Sequence, residues 1–321
     1  DKSLSYFVKR PLVDGLITMD TKIVFLFPGQ GVQYPGMLSG DGVAELVNEA
    51  SDILHKNVAS FDTQEIIKHT WATQVCLLIC ATACARALIK NGISPDMVCG
   101  LSIGAYPAAV TAGVLAFEDA LKLVYRRGQL MEEAYPQGYG MTAVIGLDLH
   151  TVTKLCNTRS DVYVANYNSE TQIVIAGKDE AMSEISELCL KRGASRCHRL
   201  KIAVPSHCPL LNDAAKKLAE SFEGVLIKRP KMAYMSASSA RVLWDPEKIK
   251  HDLITNMAVQ TKWHEAMISA NERGIELALE MPPGSVLSGL TKSAFSKGEA
   301  LSLEQNGLTK TIDYVHFRTQ S

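Results

Sequence analysis

The chain has 321 residues, with 33 Lys and Arg against 34 Asp and Glu, so its formal net charge is −1. This length suits one large α/β domain or two smaller ones, each able to bury a core. The near-zero charge gives no sign of binding to nucleic acid or to an anionic membrane surface. With 22 Gly and 12 Pro, the composition is that of a globular protein.

The eight cysteines do not predict a metal site or a disulfide framework. No C-x-x-C pair occurs and no His, Asp and Glu cluster has ligand spacing, so we expect no metal. Cys76, Cys80 and Cys84 share one face of a predicted apolar helix, which favours a place in the core. Unpaired cysteines suit a reducing compartment, and the longest apolar run, 75–85, is too short to span a bilayer. We therefore expect a cytoplasmic protein without a membrane partner.

The first part of the chain alternates between strands and helices. An apolar run at 23–27 predicts a buried parallel strand ending at Pro-Gly, and 97–99 predicts a second strand. Helical periodicity marks four segments: 41–57, 71–90, 107–114 and 117–134. This alternation is typical of a parallel α/β sheet.

The pattern changes near Met141. Helices are predicted at 148–157 and 178–192, and they lie between four short predicted strands: 141–146, 162–165, 172–176 and 199–204. The order β-α-β-β-α-β is that of a split βαβ domain. The α/β pattern resumes with a helix at 209–222 and a strand at 275–280, which a final helix follows.

These elements predict an α/β protein whose hydrolase-like parallel-sheet core carries an inserted ferredoxin-like, split βαβ small domain. The predicted parts are an N-terminal extension at 1–18, a large domain at 19–140 and 205–321, and the small domain at 141–204. We expect the functional site in the cleft between the two domains.

The motif Gly-Leu-Ser-Ile-Gly at 100–104 lies between a predicted strand and a helix. G-x-S-x-G in this setting indicates a nucleophile elbow, which exposes Ser102 at the carboxyl edge of the sheet. The alternative is an ordinary strand–helix turn. His207, in a turn-forming Pro-Ser-His-Cys-Pro segment, is the candidate base because it follows the serine in chain order. A surface histidine is the alternative there.

Two further features complete the candidate site. The Phe-Pro-Gly-Gln-Gly loop at 27–31 lacks the Lys-Ser/Thr of a phosphate loop, so it favours an oxyanion hole formed by the N–H groups of Gln30 and Ile103. A plain tight turn is the alternative. Arg126 and Arg127 lie on a helix with one apolar side, where an inward Arg requires an anionic partner such as a substrate carboxylate. The alternative is a solvated surface Arg.

Together these four features resemble the malonyl-CoA:acyl-carrier-protein transacylases, over residues 22 to about 291. Within that family, 134–141 and 163–166 are most similar to the transacylase subunit of bacterial malonate decarboxylase. Three departures from the usual pattern of the fatty-acid enzymes favour the same subfamily: Leu101, Ala105 and Met-Pro-Pro-Gly at 281–284.

The resemblance implies a role for each candidate residue. Ser102 is the implied acylated nucleophile and His207 the implied general base. Gln30 and Ile103 supply the implied oxyanion-hole N–H groups, and Gln30 also belongs to the implied substrate-binding set. Arg127, rather than Arg126, is the implied partner of the malonyl carboxylate.

The resemblance also implies a ping-pong reaction without a cofactor. A malonyl group passes from malonyl-CoA to Ser102 and then to the phosphopantetheine-type thiol of an acyl-carrier protein. Other malonate decarboxylase subunits are further implied partners. A main-chain carbonyl near Gln260 and Lys262 is expected to orient His207 in place of an Asp.

Three alternatives stay open. The first is a malonyl transacylase of fatty-acid or polyketide synthesis. The second is a serine thioesterase or esterase, which releases free acid and does not depend on Arg127 for simple esters. The third is a non-catalytic subunit that binds a carrier protein.

Overall fold

A computed structural model describes residues 21–40 and 42–320. The predicted extension at 1–18 lies outside these residues. The described chain contains two β-sheets, whose strands are β1 (Lys22–Phe27), β2 (Met97–Gly100), β3 (Tyr139–Ile145), β4 (Val162–Ser169), β5 (Gln172–Lys178), β6 (Arg196–Arg199), β7 (Ala233–Ser236), β8 (Arg241–Leu243), β9 (Ile275–Glu280) and β10 (Glu299–Ser302).

Helices cover these sheets. They are α1 (Val43–Leu54), α2 (Thr70–Lys90), α3 (Ala105–Thr111), α4 (Phe117–Ala134), α5 (Leu149–Cys156), α6 (Asp179–Lys191), α7 (Asn212–Glu220), α8 (Pro246–Thr255), α9 (Trp263–Glu272), α10 (Val286–Ala294), α11 (Leu303–Asn306) and α12 (Leu308–Gln320). The predicted helix at 117–134 has the same bounds as α4, and the helices predicted at 71–90, 148–157 and 178–192 agree within one residue at each end.

The larger sheet has the strand order β10-β9-β1-β2-β7-β8, and its pairs are parallel except for β7 with β8. In the middle of this sheet, Leu26 of β1 pairs with Cys99 on one side and with Glu280 on the other. The loops after β1, β2 and β9 therefore leave from one edge, which is where open α/β sheets bind their ligands.

The smaller sheet has the order β4-β5-β3-β6 with antiparallel neighbours throughout. Helices α5 and α6 pack on one face through residues such as Val152 and Ile185. The chain order and strand order are those of a split βαβ unit, so the predicted fold class is confirmed. The domain limits at 140/141 and 204/205 stay a prediction.

Main-chain hydrogen bonds join the small sheet to the segment of the large domain that precedes α9. Tyr167 N donates to Thr261 O, and Thr261 N donates to Ala165 O, both at 2.8 Å. This bridge fixes the end of β4 beside the segment that leads into α9. The face of the small sheet that carries Met141 and Val174 is thereby held toward the large sheet.

The prediction of a strand at 199–204 is wrong, because β6 runs from Arg196 to Arg199. It is an edge strand that pairs only with β3 and ends opposite Thr142. The alternating apolar residues that follow do not continue the sheet. Ile202 instead lines the cleft, and Val204 is buried in the core of the larger sheet. Three short strands, β7, β8 and β10, were not predicted at all.

Helix α2 is the central helix of the large core. By length and composition it is the one described helix that is long and apolar enough to cross a membrane, but 78% of that apolar window is buried inside the protein. Cys76 and Cys80 are buried on it as expected, and Cys84 is half-buried. Helix α4 packs closely against α2, as Gly128 shows: a Cβ added there would lie 2.3 Å from Trp71 Cα.

The glycines of the 100–104 motif are required by close packing. A Cβ on Gly100 would lie 2.0 Å from the carbonyl carbon of Gly104, and a Cβ on Gly104 would lie 2.1 Å from Phe27 O. Both contacts are with main chain, which no rotamer change can relieve. The turn after β2 is therefore pressed directly onto the end of β1.

We expect Gly104→Ala to lower the free energy of unfolding by about 3 kcal/mol or more, because the new methyl group overlaps the main chain of β1. Gly289→Ala is the matched control: its Cβ meets nothing within 4 Å at an exposed position of helix α10, so a gain of up to about 1 kcal/mol is expected. Urea unfolding measures both. Equal effects of the two substitutions would contradict this packing.

Candidate active site

Ser102 occupies a strained turn between β2 and α3. Its φ is +58°, in the left-handed region that non-glycine residues rarely adopt. Leu101 N donates to Phe27 O at 3.0 Å, which anchors the turn to the end of β1. The side chain of Ser102 is directed into the cleft between the sheets, as in a nucleophile elbow.

His207 is the second strained residue of the site, with φ +61°. Its Nδ1–H donates to Asn256 O at 2.8 Å and lies 3.3 Å from Val259 O. Its own N–H donates to Met257 O at 2.6 Å. Because Nδ1 is used in this way, Nε2 is the nitrogen left to accept a proton. The ring is 4% exposed and lines the same cleft as Ser102.

The carbonyls that hold His207 belong to Asn256 and to Val259, which directly precedes Gln260. Lys262 O accepts from Ala266 N, at 2.9 Å, in the first turn of α9. The side chain of Gln260 turns away to Val164 O, at 3.4 Å. The Asn256 carbonyl also accepts from Val259 N, at 3.4 Å, in the turn that follows α8.

Within residues 21–40 and 42–320, no hydrogen bond joins Ser102 to His207. The serine Oγ instead accepts from Arg127 Nη2 at 3.2 Å. Both side chains line one cleft of about 230 Å³ between the sheets. Catalytic hydrogen bonds are often long in a free enzyme and shorten when substrate binds.

The loop at 27–31 lies against the elbow. A Cβ on Gly29 would be 2.9 Å from Leu101 O, so the two turns are in van der Waals contact. Gln30, half-buried, lines the cleft, and Ile103 is fully buried beneath Ser102. This arrangement places the Gln30 and Ile103 main chains on neighbouring turns beside the serine. The roles of their N–H groups as an oxyanion hole stay a prediction.

Arg127 is fully buried on α4, whereas Arg126 is exposed. Its Nη1 donates to Gln74 Oε1 at 2.9 Å, and its Nη2 donates to Asn256 Oδ1 at 2.8 Å. In the described chain no carboxylate pairs with it, and its Nε has no partner. The site therefore holds one buried positive charge beside the serine hydroxyl.

Burial favours the neutral forms of Arg127 and His207, so it lowers the pKa of both groups. It lowers the pKa of Arg127 to about 10, so the guanidinium is still cationic near neutral pH. Burial, with a further contribution from the charge of Arg127, lowers the pKa of His207 from 6.5 to about 4. His207 is therefore neutral, and able to accept a proton, at physiological pH.

Two groups of polar residues have no role assigned from the sequence: one contacts Arg127, and the other lines the cleft. Gln74 and Asn256 bind Arg127 from helix α2 and from the segment after α8. On the small-sheet side, Asn166 Oδ1, Asn168 Oδ1 and His198 Nδ1 are buried without a partner. The one available signal was Gln74, a lone amide in the apolar stretch of α2. Among the described residues, no group of three or more His, Cys, Asp or Glu could hold a metal ion.

A serine on a strained elbow, with a histidine held by main-chain oxygens rather than by an acid, is the arrangement of a serine acyltransferase. The family model for the acyl transferase domain matches residues 24–311. The malonyl CoA-acyl carrier protein transacylase of Haemophilus influenzae is 35% identical over 296 residues, which cover 88% of this chain and 95% of that protein. The chain belongs to the malonyl-CoA:acyl-carrier-protein transacylase family.

Solved structures agree with this assignment. The crystal structure of FabD from Acinetobacter baumannii has a TM-score of 0.87 at 34% identity, covering 93% of this chain and 99% of that one. A malonyl-transacylase solved in complex with a type II polyketide synthase acyl-carrier protein also has a TM-score of 0.87 at 34% identity, covering 92% of this chain and 100% of that one. The fold of the whole described chain is thus that of known family members.

The low pKa of His207 predicts the pH dependence of the reaction. A general base works in its neutral form, which persists above its pKa of about 4. We expect kcat/KM for acylation of Ser102 to stay level between about pH 5 and 8 and to fall only below that range. Stopped-flow measurement of CoA release gives the profile. A rising limb near 6.5, the ordinary value for histidine, would contradict the buried, carbonyl-bound imidazole.

Proposed function

We propose that this protein transfers malonyl groups from malonyl-CoA to the phosphopantetheine thiol of an acyl-carrier protein through a malonyl-Ser102 intermediate. The observation that carries the proposal is the buried guanidinium of Arg127, whose Nη2 lies 3.2 Å from Ser102 Oγ with no carboxylate partner among the described residues. A short acyl group on that oxygen with a terminal carboxylate supplies the missing anion.

The reaction needs a proton acceptor and a place for negative charge. Ser102 Oγ attacks the thioester carbonyl while its proton passes to His207 Nε2. The C–S bond then breaks, and the CoA sulfur leaves with the proton from His207. The carrier thiol reverses these steps and takes the malonyl group. The N–H groups of Gln30 and Ile103 bind the carbonyl oxygen while it carries charge.

The small sheet contributes the second wall of the cleft. Asn166 and Asn168 are each 6% exposed, and their side-chain oxygens have no partner. A phosphopantetheine arm carries amide N–H groups that such oxygens can bind, and both CoA and a loaded carrier present this arm. The cleft is thus suited to the part that the two successive substrates share.

Fatty-acid or polyketide synthesis is the context that the relatives support best. The H. influenzae and Escherichia coli relatives are named malonyl CoA-acyl carrier protein transacylases, and one solved relative is bound to a polyketide carrier. Malonate decarboxylase, the subfamily expected from the sequence, is favoured by local similarity at 134–141 and 163–166 and by the residue choices at Leu101, Ala105 and 281–284, but none of the relatives named above belongs to it by name. We therefore propose the biosynthetic role first.

The other two readings are weaker. Hydrolysis of a simple ester does not require a buried cation beside the nucleophile. Such a substrate would also leave the charge of Arg127 unpaired in the closed site, which is destabilising. Binding of a carrier protein without catalysis does not require a strained main chain at both Ser102 and His207 in one cleft.

Intact-mass analysis after mixing with malonyl-CoA or acetyl-CoA tests the proposal. We expect a malonyl adduct that disappears in Ser102→Ala and that exceeds the acetyl adduct. Arg127→Met should lower the malonyl loading rate about 100-fold, because the carboxylate loses its only buried cation. Arg126→Ala, an exposed change on the same helix, is the matched control. Release of free malonate without an adduct would favour the thioesterase, and no reaction would favour the carrier-binding subunit.

Carrier preference tests the biological context. We expect faster discharge of malonyl-Ser102 to a holo acyl-carrier protein of fatty-acid or polyketide synthesis than to the carrier subunit of malonate decarboxylase. The two carriers are compared at equal concentration by the mass of the malonylated carrier. Faster transfer to the decarboxylase carrier would reverse the proposed context and leave the transacylase chemistry intact.

A further inference from the structure

Among the residues that the structure describes, Arg127 is held entirely by neutral groups. Its three side-chain hydrogen bonds go to the amide oxygens of Gln74 and Asn256 and to the hydroxyl of Ser102. Gln74 is fully buried and Asn256 is 4% exposed. Buried arginines ordinarily pair with carboxylates, because an unpaired buried charge is destabilising. Here the guanidinium is positioned, but its charge is not neutralised.

Each amide is itself fixed at its other end. Gln74 Nε2 donates to Gln30 Oε1 at 3.1 Å and reaches Met131 Sδ at 3.3 Å. Asn256 Nδ2 donates to Ser102 O at 3.2 Å. Since both NH₂ groups are engaged elsewhere, both amide oxygens must face the guanidinium, which can only donate. The orientation of Arg127 is therefore set by two amides that cannot be flipped without loss of these bonds.

The same bonds tie Arg127 to the reacting groups. Gln74 connects it with Gln30 on the loop after β1. Asn256 contacts three parts of the site: its side chain binds Arg127 and the main chain of Ser102, and its carbonyl binds His207 Nδ1. The nucleophile, the base and the cation are thus positioned by one residue on the segment after α8.

We propose that Gln74 and Asn256 are specificity-determining positioning residues, which fix the guanidinium of Arg127 while leaving its charge available to an acyl group that ends in a carboxylate. An acidic residue at either position satisfies the same N–H donors with nearly the same shape. It also supplies a permanent counter-ion, so the substrate carboxylate no longer gains from the cation and is repelled by the new acid. This inference rests on the proposed function, because it concerns selection of the malonyl group.

Gln74→Glu is the direct test, since among the described residues the Gln74 side chain forms no hydrogen bond with Ser102 or His207. We expect the ratio of kcat/KM for malonyl-CoA over acetyl-CoA to fall at least about 100-fold, chiefly through loss of malonyl loading. Gln74→Leu is the matched control: it removes the acceptor without adding charge, so the ratio should fall much less and still favour malonyl. Intact-mass rates of adduct formation measure both substrates.

Asn256→Asp repeats the test from the opposite side of the guanidinium and keeps the main-chain carbonyl that holds His207. If thermal unfolding shows that Gln74→Glu does not fold, Asn256→Asp supplies the test in its place. A malonyl-to-acetyl ratio equal to that of the wild type in a folded acidic variant would overturn the inference, as would an equal loss of both substrates. Absence of any malonyl adduct on the wild type would instead overturn the proposed function itself.

Discussion

The buried guanidinium of Arg127 is the group on which the arrangement of the site depends. It connects four separate segments: helix α4, which carries it, helix α2 through Gln74, the elbow through Ser102, and the segment after α8 through Asn256. Because its partners are neutral, its charge acts on the cleft without compensation from the protein. Close packing of α4 on α2, which Gly128 permits, brings Arg127 within reach of Gln74.

The position of the site follows from the topology. Loops after β1 and β2 meet because those strands are parallel neighbours, and the glycines of the elbow allow the two turns to touch. The small sheet then closes the cleft from the other side, held by the bridge at Thr261. A narrow cleft with two walls also helps a transferase, because an acyl-serine intermediate has to survive until the second thiol arrives.

The fold could be predicted from the sequence wherever the signal is local. Helix α4 and strand β1 have strong periodicity or a continuous apolar run, and the split βαβ order follows from element spacing. Edge strands such as β8 and β10 were missed because three or four residues carry too little pattern. The stretch after β6 was misread because apolar residues that pack between two sheets alternate much as a strand does.

The same distinction, between local sequence signals and long-range contacts, applies to the residues of the site. Ser102, His207 and Arg127 were found because each lies in a short motif or beside a glycine. Gln74 and Asn256 were not, because their contacts with Arg127 join residues 53 and 129 positions apart. Nothing in their own neighbourhoods indicates those contacts. The particular carbonyls that orient His207 could not be identified for the same reason, since any residue type offers a main-chain oxygen.

The most direct measurement is a crystal structure of the malonyl-enzyme, obtained by brief exposure of crystals to malonyl-CoA. The predicted result is an ester at Ser102 Oγ whose terminal carboxylate lies about 3 Å from Nε and Nη2 of Arg127. Nε then gains a hydrogen-bond partner, which it lacks among the described residues. A carboxylate directed to solvent, with Arg127 still bound only to Gln74 and Asn256, would contradict the central role of the guanidinium.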